Sequence, residues 1–94
     1  MDRITQGMLQ KKVDYLNELT GNAAAPWTRG EDGKLTANIG NYHLSGAYGG
    51  WCLHQMDNES GGVHVPFSCG YVPKRELFYR ISAFIDGIHA EREE

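Results

Sequence analysis

Residues 41–51 read Asn-Tyr-His-Leu-Ser-Gly-Ala-Tyr-Gly-Gly-Trp, and this stretch predicts two β-strands joined by a tight reversal. Its first half alternates side chains between two faces, which is typical of a half-buried strand. The glycine-rich run 46–50 allows the backbone to bend sharply, with or without a bulge. A new strand then begins at Trp51.

The flanking residues extend this β-region on both sides. Apolar and polar side chains alternate over 34–39, which predicts an earlier strand, and Gly40-Asn41 predicts a two-residue hairpin turn after it. Residues 51–56 alternate in the same way. Residues 63–67 are predicted to form a short strand. It is placed at the edge of the sheet, because the proline within it has no N–H to donate to a neighbouring strand.

Residues 22–33 are predicted to form a linker with a solvated turn at 29–33. Trp27 lies within it. We expect its side chain to fold back over the core as a lid, because an isolated exposed tryptophan is uncommon.

Helical spacing predicts a first helix over about 5–20. Thr5 can cap its start, and Gly21 stands where a left-handed residue commonly ends a helix. The polar residues, Asn17 among them, are assigned to the solvent face. One apolar stripe contains Leu9, Val13, Leu16 and Leu19.

A second helix is predicted over about 73–90, with Pro73 in its first turn. The residues after it are expected to form a frayed tail. Its wide apolar stripe contains Leu77, Phe78, Ile81, Phe84, Ile85 and Ile88.

These elements predict one small domain over 1–94 of α+β class. The expected architecture is a two-layer α-β-β-β-α fold, in which a small antiparallel β-meander at about 34–67 carries both helices on one face. The opposite face would remain open. In this register the open face carries His43, Ser45, Cys52, His54 and Met56.

Composition disfavours several classes of protein. The 94 residues carry a formal net charge of -3, which disfavours a dedicated nucleic-acid binder. Two cysteines are too few for a disulfide scaffold. No signal peptide or membrane span is visible, so the expected location is the cytoplasm, with no membrane partner.

Several runs of this chain resemble small proteins encoded in bacteriophages and prophages. The resemblance covers nearly the whole chain and implies a phage or prophage origin and residence in the host cytoplasm. It implies no activity, cofactor or catalytic residue. The matching runs are 39–45, 47–50, 58–62 and 70–77, with 13–17 and 26–27.

Aromatic residues are candidates for a contact surface, because tyrosine and tryptophan are favoured anchors of protein interfaces. Tyr48 at the reversal and Tyr79 on the polar side of the last helix are expected to be exposed. Tyr71 is a further candidate. Trp51 is a binding candidate too, although completing the core is its simpler role.

The start of the last helix is a candidate anion site. Lys74 and Arg75 oppose the helix dipole there, each at a cost of roughly 0.3–1 kcal/mol, and Gly70 would let a ligand approach the backbone. Arg80 would add a phosphate contact. The simpler alternative is that Lys74 and Arg75 are a solvated pair bridged to Glu76 or to an acid elsewhere.

Two weaker alternatives involve sulfur and imidazole. Cys52, His54, His64 and Cys69 are the right residue types for tetrahedral zinc, but their spacing lacks a CxxC knuckle. A cysteine with a histidine base could act as a nucleophile, but no motif orients one. The favoured prediction has no metal and no cofactor.

The sequence therefore favours a non-enzymatic protein that binds a host or phage protein. A homodimer that covers the open sheet face is one form in which it would act. A nucleic-acid or nucleotide-binding module that uses Lys74, Arg75 and Arg80 is the less favoured alternative. Double-stranded-RNA-binding domains share the α-β-β-β-α order.

Overall fold

The computed structural model describes residues 3–67 and 70–92, and this part of the chain contains two helices and five short strands. The predicted α+β class is confirmed. The elements in order are α1 Gln6–Thr20, β1 Trp27–Arg29, β2 Leu35–Ala37, β3 Tyr42–Ala47, β4 Gly50–Met56, β5 Val63–His64 and α2 Lys74–Arg92.

Helix α1 begins and ends as its sequence predicts. The Thr5 hydroxyl accepts a hydrogen bond from the Met8 backbone N–H at 3.1 Å, which satisfies one of the free donors of the first turn. Gly21 ends the helix with a φ of 73°, and its N–H bonds to the Glu18 carbonyl.

Helix α2 follows Pro73, whose carbonyl accepts the Leu77 N–H at 3.1 Å. It reaches Arg92, two residues beyond the predicted end at 90. Its last turn carries Arg92, whose positive charge is stabilised by the negative end of the helix dipole.

A three-stranded antiparallel sheet of order β3-β4-β5 carries both helices on one face, as predicted. Tyr42 and Leu53 face the helices, and burying each such apolar side chain contributes about 1.5–3 kcal/mol. The buried cluster contains Leu9, Val13, Leu16, Tyr42, Leu53, Val72, Leu77, Ile81 and Ile85.

The prediction for residues 34–39 is wrong in its pairing. Strand β2 pairs with β1 in a separate two-stranded sheet, with Trp27 opposite Ala37, and does not turn back onto β3 at Gly40-Asn41. The N–H of Gly40 instead bonds to the Met56 carbonyl, so the chain continues beside β4 rather than reversing. The meander therefore spans β3 to β5, and the predicted linker contains a strand.

Trp27 does not cover the core. Its side chain is 39% exposed, and the ring lies against Gly61. A Cβ on Gly61 would lie 2.6 Å from this ring. Trp27 therefore joins the β1–β2 hairpin to the loop before β5, and the predicted lid is wrong.

Asn17 is buried, at 1% exposure, and is not on the solvent face. Its amide nitrogen donates to the Tyr42 carbonyl at 2.9 Å, and its amide oxygen accepts the Tyr42 N–H at 2.8 Å. The predicted solvent exposure of Asn17 is wrong. Its amide can be buried where the helix packs on the sheet, because both of its polar atoms have hydrogen-bond partners there.

Strands β3 and β4 are joined by a two-residue turn. Ala47 pairs with Gly50, and the two residues between them, Tyr48 and Gly49, have φ values of 53° and 74°. A type I′ turn requires positive φ at both positions. The six pairs of the ladder run in unbroken register, so the reversal contains no bulge.

Candidate functional site

Tyr48 is the most exposed large hydrophobic residue of the described part of the chain, at 94%. It also has the one positive φ among the described residues other than glycine. A bulky residue in this conformation is disfavoured by roughly 1–2 kcal/mol. The expected exposure of Tyr48 is confirmed, and so is that of Tyr79, at 55%.

Trp51 completes the core, as its simpler interpretation predicts. The side chain is half-buried and packs against the cluster between the sheet and the helices. Its ring also covers Gly46 on the neighbouring strand, where a Cβ would lie 3.2 Å from a ring carbon. Trp51 therefore reaches the β3 edge from the helix side.

A connected group of polar and aromatic side chains lies on the opposite side of the sheet. We call it the Tyr–His face, and it contains His43, Ser45, Tyr48, His54 and Tyr71. The rings of Tyr48 and Tyr71 meet edge to face with centroids 5.5 Å apart. The rings of Tyr71 and His54 lie 6.4 Å apart, and those of His54 and His43 lie 5.7 Å apart.

Local structure holds Tyr71 at the centre of this face. Its hydroxyl and the Ser45 hydroxyl are 2.9 Å apart and share a hydrogen bond. The next residue, Val72, exchanges two backbone hydrogen bonds with Trp51, of 2.8 and 2.9 Å. Gly50 permits this approach, because a Cβ there would lie 3.0 Å from the Tyr71 carbonyl carbon.

His43 and His54 form a cross-strand pair, and among the described residues neither imidazole forms an ion pair with a carboxylate. Burial lowers the pKa of His43 below its ordinary value of 6.5, and repulsion from His54 lowers it further. Burial also lowers the pKa of His54. Both imidazoles are therefore neutral near pH 7, and the Tyr–His face offers rings and hydroxyls rather than charge.

The open face is smaller than predicted. Cys52 and Met56 lie on the predicted side of β4, but they are only 2% and 3% exposed. The accessible part is therefore limited to the Tyr–His face. The alternation in the sequence predicted the correct face of the sheet for these two residues, but it did not indicate that they are buried.

Two of the three cations weighed as phosphate ligands, Arg75 and Arg80, make contacts along α2. The Arg80 guanidinium lies 3.3 Å from the Glu76 carboxylate, and the Arg75 guanidinium donates to the Tyr79 hydroxyl at 3.3 Å. Lys74 begins the helix. Gly70, with a φ of 66°, precedes Tyr71. Glu76 bridges to Arg80, whereas the simpler alternative concerned Lys74 and Arg75.

The four residues weighed as zinc ligands do not assemble among the described residues. Cys52 and His54 share a face of β4, but His64 pairs with Gln55, which alternates to the other face. Cys69 lies outside the described residues. Within residues 3–67 and 70–92, no three His, Cys, Asp or Glu side chains are grouped to hold a metal ion.

Comparisons with known proteins add no relative. No protein-family model matches the chain, and neither the curated proteins nor the solved structures contain a significant match. Of the two helices in the described part of the chain, neither is long and apolar enough to cross a membrane.

Proposed function

We propose that this chain is a non-enzymatic protein-binding module whose contact surface is the Tyr–His face. The observation that carries the proposal is Tyr48, a large side chain almost fully exposed on a left-handed backbone. Glycine, asparagine or aspartate would suit this turn position better. A tyrosine there costs stability, and such strained positions cluster at functional sites.

The composition of the Tyr–His face suits a protein partner. Tyrosine buries a large rigid surface with little loss of conformational entropy and keeps a hydroxyl for hydrogen bonding. Tyr71 is already fixed by Ser45, so ordering this part of the surface costs little on binding. The neutral histidines add hydrogen-bonding atoms without the cost of removing a charge from water.

The expected partner is a host or phage protein, in line with the resemblance to phage-encoded proteins. A phage or prophage origin and a place in the host cytoplasm belong to the same proposal. The module needs no cofactor for this role. Cys52 supports no nucleophilic role, because buried thiols are generally inert.

The alternative function, phosphate recognition by Lys74, Arg75 and Arg80, has less support. The Arg80 side chain is engaged by Glu76, and within residues 3–67 and 70–92 no second feature at the helix start selects an anion. Changing Lys74 and Arg75 to glutamate would abolish a salt-dependent affinity for RNA or nucleotides if this alternative held.

Affinity capture with three forms of the chain tests the proposal. Tagged wild-type protein, Tyr48→Asn and Tyr79→Ala are each incubated with lysate of the host, and the captured proteins are quantified by mass spectrometry. A partner of the Tyr–His face should be captured at least tenfold less by Tyr48→Asn. Tyr79→Ala is the matched control, because it removes an exposed tyrosine from α2.

The partner found in this way is then purified and its dissociation constant measured for each form. Equal affinity for wild-type and Tyr48→Asn would overturn the assignment of the Tyr–His face. Loss of affinity in Tyr79→Ala alone would move the contact surface to the helix layer.

A further inference from the structure

The outer edge of β3 presents unpaired backbone groups. In an antiparallel ladder, alternate residues direct their N–H and C=O toward the partner strand and away from it. The bond from the Met56 N–H to the Asn41 carbonyl, 2.9 Å long, fixes this alternation. Tyr42, Leu44 and Gly46 therefore direct their backbone groups away from β4.

The outward backbone groups of these three residues differ in whether they have hydrogen-bond partners. The Asn17 side chain occupies the outward groups of Tyr42. Within the described residues, no hydrogen bond engages the outward N–H or C=O of Leu44 or Gly46. Gly46 is exposed, and β3 is the end strand of its sheet. The open part of the edge therefore contains two residues with outward backbone groups, Leu44 and Gly46. It begins after Tyr42, where Asn17 is bound, and ends at the turn of Tyr48.

This edge also lacks the features that keep strands apart. Exposed edges are normally protected by lysine, proline, a bulge or a covering element. Strand β3 reads Tyr-His-Leu-Ser-Gly-Ala, with no proline and no formal charge, and its ladder contains no bulge. Its one titratable imidazole is neutral near pH 7, as shown above.

We propose that a second copy of this chain adds to the β3 edge as an antiparallel strand, related by a two-fold axis at Ser45. In this register Leu44 of each copy lies opposite Gly46 of the other. The outward groups of Leu44 and Gly46 then form four hydrogen bonds across the axis. The Asn17 amide limits the pairing at one end, and the Tyr48 turn limits it at the other.

The side chains of this register are complementary. Leu44 lies opposite a glycine, whose helix-side space is covered by Trp51, so the leucine meets an apolar ring rather than a Cβ. Ser45 lies opposite Ser45 of the second copy in a non-hydrogen-bonded pair, where Cα atoms approach to about 4.5 Å and small residues fit best. The large Leu44 thus lies opposite the small Gly46, and the small Ser45 lies opposite the same residue of the second copy.

This pairing joins two three-stranded sheets into one. Paired residues of antiparallel strands point to the same side, so both copies present the Tyr–His face on the same side of the joined sheet. The contact is short, and we expect a concentration-dependent dimer that forms at about 100 µM rather than a permanent one.

Sedimentation velocity of the purified chain tests the pairing without any other partner. Wild-type protein should shift from monomer to dimer as concentration rises. Ser45→Lys places like charges opposite each other at the axis and should weaken the dimer at least tenfold. Ser45→Ala is the control, because it loses the same Tyr71 hydrogen bond but keeps a small neutral side chain, and it should dimerise like wild-type.

Cross-linking provides a second measurement that does not depend on the lysine variant folding. Ser45→Cys is made in a background of Cys52→Ala and Cys69→Ala, because Cys52 lies directly opposite residue 45 on β4 and Cys69 is the second thiol of the chain. Mild oxidation should convert this variant to a covalent dimer, since the expected Cα separation suits a disulfide. The cysteine-free background alone and the same background with Ser60→Cys, an exposed loop position, are the controls.

Wild-type protein that stays monomeric at about 1 mM would overturn the proposal. Equal dimerisation of wild-type and Ser45→Lys, or equal cross-linking at positions 45 and 60, would show that the copies meet elsewhere and would overturn it too. These outcomes are independent of whether the Tyr–His face binds a host or phage protein.

Discussion

The side-chain amide of Asn17 bonds to both backbone polar groups of Tyr42, as a neighbouring strand would. Both hydrogen bonds are buried, at 2.9 and 2.8 Å. One residue of α1 therefore fixes the position of the helix along the sheet and ends the open edge of β3. Two physical roles, docking and edge protection, rest on a single polar side chain.

Asn17→Ala should lower the free energy of unfolding by about 2–4 kcal/mol, because it leaves a buried donor and a buried acceptor on Tyr42 without partners. Urea denaturation followed by circular dichroism measures the change. Gln10→Ala is the control on the same helix. Its exposed bond to Asp14 is worth about 0.2–0.5 kcal/mol. Similar losses for the two variants would contradict a special role for Asn17.

Tyr48→Asn should raise stability by about 1 kcal/mol while weakening partner binding. Asparagine adopts the left-handed backbone of this turn at a lower cost in free energy than tyrosine does. The urea midpoint reports the stability, and the affinity for the captured partner reports the binding. A variant that is less stable than wild-type would mean that the contact between Tyr48 and Tyr71 outweighs the backbone strain.

Gly50→Ala should destabilise the chain by about 1–3 kcal/mol, because its Cβ would press on the backbone of Tyr71 and Val72 at 3.0 Å. The loss should displace Tyr71, which chemical shifts of its ring protons would report. Gly87→Ala provides a control of opposite sign. Position 87 lies within α2 with open space around it, so alanine should stabilise by about 0.5–1 kcal/mol.

Stability should fall in mild acid because of the two cross-strand histidines. Their folded-state pKa values lie below the ordinary 6.5, so the unfolded chain binds protons more readily. Their contribution is fully present above pH 6.5 and is lost as the pH falls through that value toward the lower folded-state values.

Urea midpoints at about pH 8 and about pH 5 measure this loss. His43→Phe removes one titrating group while keeping a ring beside His54, so it should reduce the difference between the two midpoints. A difference between the two midpoints that is the same in His43→Phe as in wild-type would show that the cross-strand pair is not its source.

The sequence predicted those elements whose side chains repeat in a regular pattern. Both helices show an apolar stripe at helical spacing, and capping residues fix the ends of α1. The alternation over β3 and β4 assigned the helix face and the opposite face correctly. These patterns involve residues that are close in sequence, and the packing of the folded chain buries the faces that they predict.

Pairings and buried polar groups were harder to predict. Strand β1 is three residues long and exposed throughout, so it has no alternation to detect. Asn17 follows Val13 by four residues, which places it beside the apolar stripe and was an available signal of its burial. Tyr71 was recognised as a surface candidate, but its bond to Ser45 joins residues 26 positions apart, which no local pattern reveals.

The two tryptophans report on different parts of the molecule. Trp51 lies in the layer between sheet and helices, whereas Trp27 lies on a hairpin whose attachment includes the ring contact with Gly61 and a hydrogen bond from Ala37 to the Glu59 carbonyl. Emission from Trp27→Phe and Trp51→Phe proteins would therefore follow the core and the hairpin separately. If the hairpin detaches before the core melts, a single chain carries its own pair of fluorescent probes for that intermediate.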